Sequence, residues 1–329
     1  MPKLFKPREL PVPKRALSPT SWSILHEVDS ILADVAHARS LPYKRVRTIL
    51  NRVPRAERGV DWTERVVLLY GVHRMKASRC ASLKKKIAAY HKSHGDHDKR
   101  KAFEAALKRV LDDKVLNGHG YSTSFKSMDR RKLALDLQKI FEALNAEGYT
   151  AVLNSGTLLG AVRDGDFIGH DDDVDLAVFV EGSSPKERIA AFSRLHDVVA
   201  DTMPFATDLR FMKNSPSLQF HTESGLQVDL FAAWEKGGKV YVWPHTYGDL
   251  SRADVFPLGT QPIQGIPLPA PRNAEAMLAV NYGENWRVPD PDFSFSWSRA
   301  RRRFARFVDE YERFLTTRKV RQILSLGKM

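Results

Sequence analysis

The chain has 329 residues, 43% hydrophobic and 28% charged, an ordinary balance for a soluble globular protein of one large domain or two smaller ones. Its single cysteine, Cys80, excludes an intramolecular disulfide and a cysteine-built zinc knuckle, and suits a reducing compartment. The net charge of +13 is uneven: Lys+Arg exceed Asp+Glu by 28 to 13 over residues 1–130 and by 10 to 3 over 299–329, while acids lead by 23 to 14 over 131–298.

Basic flanks suit a polyanion or an anionic membrane surface, and the acidic centre argues against a broad nucleic-acid platform. Residues 1–20, with five prolines and no hydrophobic period, read as a flexible arm without the apolar core of a secretory signal. No apolar run reaches the 18 residues that would span a membrane. Residues 21–128 read as a basic, mainly helical region. In "SWSILHEVDSILADVAHARS", Ile24, Leu25, Val28, Ile31, Leu32 and Val35 fall at helical spacing; "DWTERVVLLYGVHRM" and "KRKAFEAALKRVLDDKVL" read similarly.

The pattern changes at residue 129. "MDRRKLALDLQKIFEALNAEGY" predicts an amphipathic helix with Leu133, Leu137, Ile140, Phe141 and Leu144 on one face and Gly148 as its stop. A strand at "TAVLN", a short helix at "GTLLGAVRDG" and a buried strand at "VDLAVFV" follow. "SPKERIAAFSRLHDVVADTM" opens a helix with Ser184 as N-cap, Pro185 in its first turn and Glu187 completing a capping box. "DLRFMK", "SLQFHT" and "LQVDLFAAW" read as strands, and "EKGGKVYVW" as a two-glycine hairpin. This order predicts a mixed-sheet α/β core over 129–297. Beyond residue 250 the chain reads as loop-rich, with one helix at "RNAEAMLAVNYG". A basic amphipathic helix is expected over 298–329, with Phe304, Phe307, Val308, Tyr311, Phe314 and Leu315 on one face.

The carboxylates in "GHDDDVDLAVFV" carry the chemistry. Adjacent acids repel one another unless something positive lies among them. Alternation along a strand puts Asp173 and Asp175 on one face, where paired carboxylates suit a hard cation such as Mg²⁺ or Mn²⁺. Asp229, an acid inside the apolar strand "LQVDLF", needs a partner there and offers a third carboxylate. Upstream, the backbone around Gly156, the Thr157 hydroxyl and Arg163 suit phosphate oxygens. Together these parts describe metal-assisted phosphoryl transfer.

These residues resemble the signature of the LicD/fukutin-related phosphotransferases, within the nucleotidyltransferase-fold superfamily. The likeness runs through Gly-Thr-Leu-Leu-Gly at 156–160, Arg163, Gly-Asp-Phe-Ile at 165–168, and Asp171, Asp173 and Asp175. "DVFPL", "GIPLPAP" and "NYGENWRVPDP" are similar to the family's closing segments, so the resemblance covers about 130–292. It implies a nucleotidyltransferase-like core and transfer of a phospho-substituent, of phosphocholine or phosphoalditol type, from a CDP-activated donor to a glycan hydroxyl. By motif, Asp173 and Asp175 would ligate Mg²⁺ or Mn²⁺, and Asp171 would orient the site or reach the metal through water. Asp229 would be a third ligand or the base for the acceptor, and Gly156, Thr157 and Arg163 would hold donor phosphates. Where many members carry Pro-Trp before the acids, this chain has Gly169-His170; His170 would contact the donor or cap its loop.

Other features have plainer readings. His91, His94 and His97 with Asp96 and Asp98 could hold a metal, but their spacing in a polar loop favours a solvated turn. Arg299, Arg301, Arg302, Arg303 and Arg306 oppose the dipole at the start of the last helix, so an external anion would stabilise them. That helix either packs its aromatic face on the core or lies on an anionic membrane. The expected partners are a CDP-activated donor, a glycan or lipid-linked glycan acceptor and a peripheral anionic membrane contact. Nucleic acid is not expected, and the cytoplasmic face of a membrane is the expected location. The alternative activity is nucleotidyl transfer to a sugar phosphate, a small molecule or RNA.

Overall fold

The computed structural model describes residues 10–117, 120–213, 215–290, 293 and 295–326. Contacts divide the chain into two units, Met1–Ser124 and Phe125–Met329.

The first unit is built around α4 (Val60–Val72), which is packed by α1 (Pro19–Ala33), α3 (Tyr43–Asn51), α5 (Ala77–Ser93) and α6 (His97–Leu111); α2 (Val35–Ser40) joins α1 to α3. Every residue from Val66 to Val72 is buried, as expected of a helix enclosed on all sides. The helix read through Leu116 stops at Leu111. Asp112 takes a positive φ of 62°, and the chain turns into a hairpin of β1 (Lys114–Asn117) and β2 (Gly120–Thr123). The three-histidine segment is no solvated turn throughout. His91 is buried, with Nε2 2.6 Å from Glu64 Oε1, while His94 Nδ1 lies 2.8 Å from the Tyr90 carbonyl.

The second unit holds a seven-stranded mixed sheet. Its main path runs β3 (Ala151–Leu153), β4 (Asp173–Phe179), β7 (Gln227–Lys236), β6 (Ser217–Thr222), β5 (Ala206–Phe211); β8 (Lys239–Val242) extends it from β7 and β9 (Thr246–Ser251) from β8. β4 and β7 are parallel and the other pairs antiparallel. Val152, Leu176, Val178, Phe220, Val228 and Leu230 form the centre of its core. The predicted helix after residue 129 is α7 (Arg130–Ala146), capped by Asp129, with all five expected apolar residues buried. α8 (Ser155–Asp164) follows β3 and packs on β4. In α9 (Pro185–Thr202) the Ser184 hydroxyl accepts from the Glu187 N–H at 3.2 Å. The box does not close on Ser184, however: the Glu187 carboxylate takes the Ser183 N–H and hydroxyl instead, at 2.8 and 2.7 Å.

The stretch beyond residue 250 is more ordered than its prolines imply. α10 (Arg252–Val255) has a reciprocal Ser251–Asp254 capping box. β10 (Gly259–Ile263) and β11 (Ile266–Ala270) form a hairpin turned by Gln264 and Gly265, both at positive φ. A separate two-stranded ribbon tolerates Pro262, Pro267 and Pro269, which a central strand would not. α11 (Ala274–Tyr282) packs on α8. The last helix is two, α12 (Trp297–Arg303) and α13 (Ala305–Leu326), broken at Phe304. Its aromatic face is spent on the protein's own core: Phe304, Phe307, Val308 and Tyr311 are buried, and the Tyr311 hydroxyl donates to the Met212 carbonyl at 2.7 Å. Two of its five leading arginines find internal carboxylates, Arg301 with Glu312 and Arg303 with Asp249.

Candidate active site

Strand pairing assembles the acids. Asp173 and Gln227 open the parallel strands β4 and β7 side by side, and two residues on Asp175 lies directly beside Asp229. Side chains alternate, so Asp173, Asp175 and Asp229 share one face of the sheet. One carboxylate oxygen from each lies within 4.8 Å of the others. Asp171, Asp172 and Asp173 form a second set at the same spacing, running into the first.

This concentration of charge has a cost. Burial drives the Asp175 carboxyl well above the usual carboxylate range, and the charges of Asp173, Asp229 and Asp171 push it the same way; the backbone N–H of Gly156 opposes them. Three hard oxygen donors of like charge fit Mg²⁺ or Mn²⁺, which would supply the missing positive charge. Among the described residues, the groups of three metal-ligating side chains are these two carboxylate sets, with no histidine in either.

The segment from β3 into α8 is shaped around the acids. Asn154 N–H donates to the Asp175 carbonyl at 3.0 Å, and the Thr157 hydroxyl accepts from the Asp175 N–H at 2.9 Å. Thr157 therefore pins β4 in place from a buried position. Ser155 turns the chain at a positive φ of 45°, unusual for a residue with a side chain. A Cβ at Gly156 would stand 2.9 Å from Asp171 Oδ2, so any larger residue there would have to displace that carboxylate.

The other expected residues are placed less centrally. Arg163 is clamped by Asp164 through Nε and Nη2, at 3.0 and 2.9 Å, which holds its charge above its already high range. His170 is exposed in the turn between Ile168 and Asp171, where the Asp171 N–H donates to the Ile168 carbonyl at 2.9 Å.

Three residues escape the sequence reading. Gln219 Nε2 donates to Asp229 Oδ1 at 2.8 Å, and Gln227 Nε2 lies 3.5 Å from Oδ2, supplying the partners that a buried acid requires. Tyr282, the last residue of α11, is the third. Burial raises its phenol, the charges of Asp175, Asp171 and Asp173 add to the rise, and Arg163 opposes it. The phenol therefore lies within electrostatic range of the acids. Its only signal in the sequence is the "NYGENW" segment.

Residues 148–273 match the family model described as LicD/FKTN/FKRP, nucleotidyltransferase domain. The ribitol 5-phosphate transferases FKRP of Homo sapiens and Mus musculus are each 28% identical over 169 residues, covering 49% of this chain and 34% of theirs. The uncharacterized protein T07A5.1 of Caenorhabditis elegans is 27% identical over 157 residues, 45% of this chain and 40% of that one. The chain thus matches about a third of the length of the first two relatives. Among solved structures, that of the antibiotic-resistance factor ANT(2'')-Ia aligns with 61% of this chain and 100% of its own at 15% identity, with a TM-score of 0.33, too low to bear on the fold.

Proposed function

We propose, from the premise that residues 148–273 are a nucleotidyltransferase domain of the LicD/fukutin-related family, that this chain is a metal-dependent phosphotransferase. It moves a phospho-substituent from a CDP-activated donor to a glycan hydroxyl in cell-surface polysaccharide assembly. The observation that carries the reading is the convergence of Asp173, Asp175 and Asp229 on one face of a parallel strand pair. Relatives named for ribitol 5-phosphate transfer favour the phosphoalditol type over phosphocholine.

Asp173, Asp175 and Asp229 would hold Mg²⁺ or Mn²⁺, with Asp171 bordering the site. When bound, the cation would neutralise the developing phosphate charge as a Lewis acid. Besides the Gly156 N–H, which is turned to Asp175, the first turn of α8 would offer backbone N–H groups to the donor phosphates. Tyr282 would offer its phenolic O–H to an oxygen of the bound substrate, and Arg163 would reach a donor phosphate on exchanging its Asp164 partner. A lipid-linked glycan would bring the enzyme to an anionic membrane at its cytoplasmic face. The exposed Arg299, Arg301 and Arg302 of α12, with Trp297 exposed beside them, would then be the surface to meet it. Among the described residues no helix is long and apolar enough to cross a membrane.

The test is product identity. Purified protein with a CDP-alditol donor, a glycan acceptor and Mg²⁺ should release CMP, and chelation should stop it. A nucleotidyltransferase given a nucleoside triphosphate would release pyrophosphate instead; that product, without CMP from the CDP donor, rejects the reading.

A further inference from the structure

The orientation of Asp229 is set from outside the acid cluster. Its cross-strand neighbour on β6 is the buried Gln219, and the neighbour of Gln219 on β5 is Arg210. Arg210 Nη2 donates to Gln219 Oε1 at 2.6 Å, and Gln219 Nε2 donates to Asp229 Oδ1 at 2.8 Å. One polar row therefore crosses four strands: Asp175, Asp229, Gln219, Arg210, each directly opposite the next.

The row depends on an irregularity in β5. Thr207 pairs with His221 and Arg210 with Gln219, so β5 advances three residues while β6 advances two. Within that step Asp208 takes a positive φ of 53°. In a regular strand Leu209 would face Gln219. The extra residue re-aims the strand and brings Arg210 to that place, as bulges beside functional sites commonly do.

The chemistry of the row has one polarity. A glutamine amide has an accepting end and a donating end, while arginine only donates. Arg210 must therefore face Oε1, which turns the amide NH₂ toward the Asp229 carboxylate. We propose that Gln219, oriented by Arg210, is a positioning residue. It holds Asp229 so that one carboxylate oxygen joins those of Asp173 and Asp175 around the cation. This inference rests on the metal-assisted reading above. Partners of metal ligands typically contribute about 10–100-fold in metal affinity.

The test is Mn²⁺ binding to the full chain by isothermal titration calorimetry, with no substrate present. Gln219→Leu, similar in volume but unable to donate, should weaken binding at least about tenfold. Arg210→Met should weaken it in the same direction, because the amide is then free to flip. Arg210→Lys, still a pure donor, should restore most of the loss. Arg210 is exposed, so its variants carry the test if Gln219→Leu fails to fold. Wild-type affinity in both Gln219→Leu and Arg210→Met overturns the inference, as does an Arg210→Lys no better than Arg210→Met. A wild-type chain that takes up no Mn²⁺ rejects the metal-assisted reading itself, before any variant is compared.

Discussion

Replacing Asp173 and Asp175 together by asparagine is expected to abolish transfer while leaving the fold intact. The substitutions keep side-chain shape and remove two of the three charges that converge on the site. Cation stabilisation of a phosphoryl transition state contributes several kcal/mol, and each 1.4 kcal/mol is a factor of ten in rate, so the loss should be on the order of a thousandfold or more. The same change should stabilise the metal-free protein. The Asp175 carboxyl holds its proton more tightly folded than unfolded. Below the ordinary carboxylate range both states are protonated. As pH rises, the unfolded chain ionises first, so folding stability falls until the folded carboxyl also ionises. Calorimetric melting of the metal-free proteins should show the variant gaining on the wild type as pH rises, with Mg²⁺ raising only the wild type. A variant that melts below the metal-free wild type at pH 8 would give the acids a structural role instead.

Gly160→Ala should destabilise the second unit markedly for a single added methyl. A Cβ at this position would stand 2.5 Å from the Asp166 carbonyl oxygen and 3.0 Å from the Ile168 nitrogen, both backbone atoms. The loop cannot easily retreat. Phe167 is buried in it with its ring 4.7 Å from that of Phe125, and the Gly165 carbonyl accepts from the Gln264 N–H. Overpacking of this kind costs about 1–3 kcal/mol. For a unit of this size that corresponds to a fall in Tm of roughly 3–10 °C, with transfer reduced as well because the loop leads directly to Asp171. Unchanged melting would show that the loop yields more readily than its packing indicates.

How far the site was legible follows from the range of each signal. Asp173 and Asp175 are visible because strand alternation is local: two residues fix a common face. Asp229 is visible as an acid among apolar neighbours, but its place beside Asp175 depends on the β4–β7 register. Gln219 and Arg210 carry no local signal, since their row exists only through pairing across β6 and the irregularity near Asp208. Tyr282 comes within electrostatic range of the acids only once α11 packs on α8, which no spacing announces. The need for Gly160 was carried only by the motif, and the backbone approach behind it appears once the loop is seen.

The fold shows the same division. The α7 face and the two-glycine turn at Gly237 and Gly238, both at positive φ, follow from local rules. The β10–β11 hairpin was hidden by its prolines, and β1–β2 by charged residues that continue a helical pattern past Asp112. Ser183 took the Glu187 carboxylate from Ser184 because its N–H and hydroxyl both lay within reach.

Asp173, Asp175 and Asp229 are proposed to hold a divalent cation. Anomalous diffraction from crystals soaked in Mn²⁺ tests this most directly. A peak is expected at about 2.1 Å, a distance typical of carboxylate–Mg²⁺ contacts, from an oxygen of each of the three carboxylates. A soaked crystal with Mn²⁺ bound elsewhere and none among these three acids would contradict it.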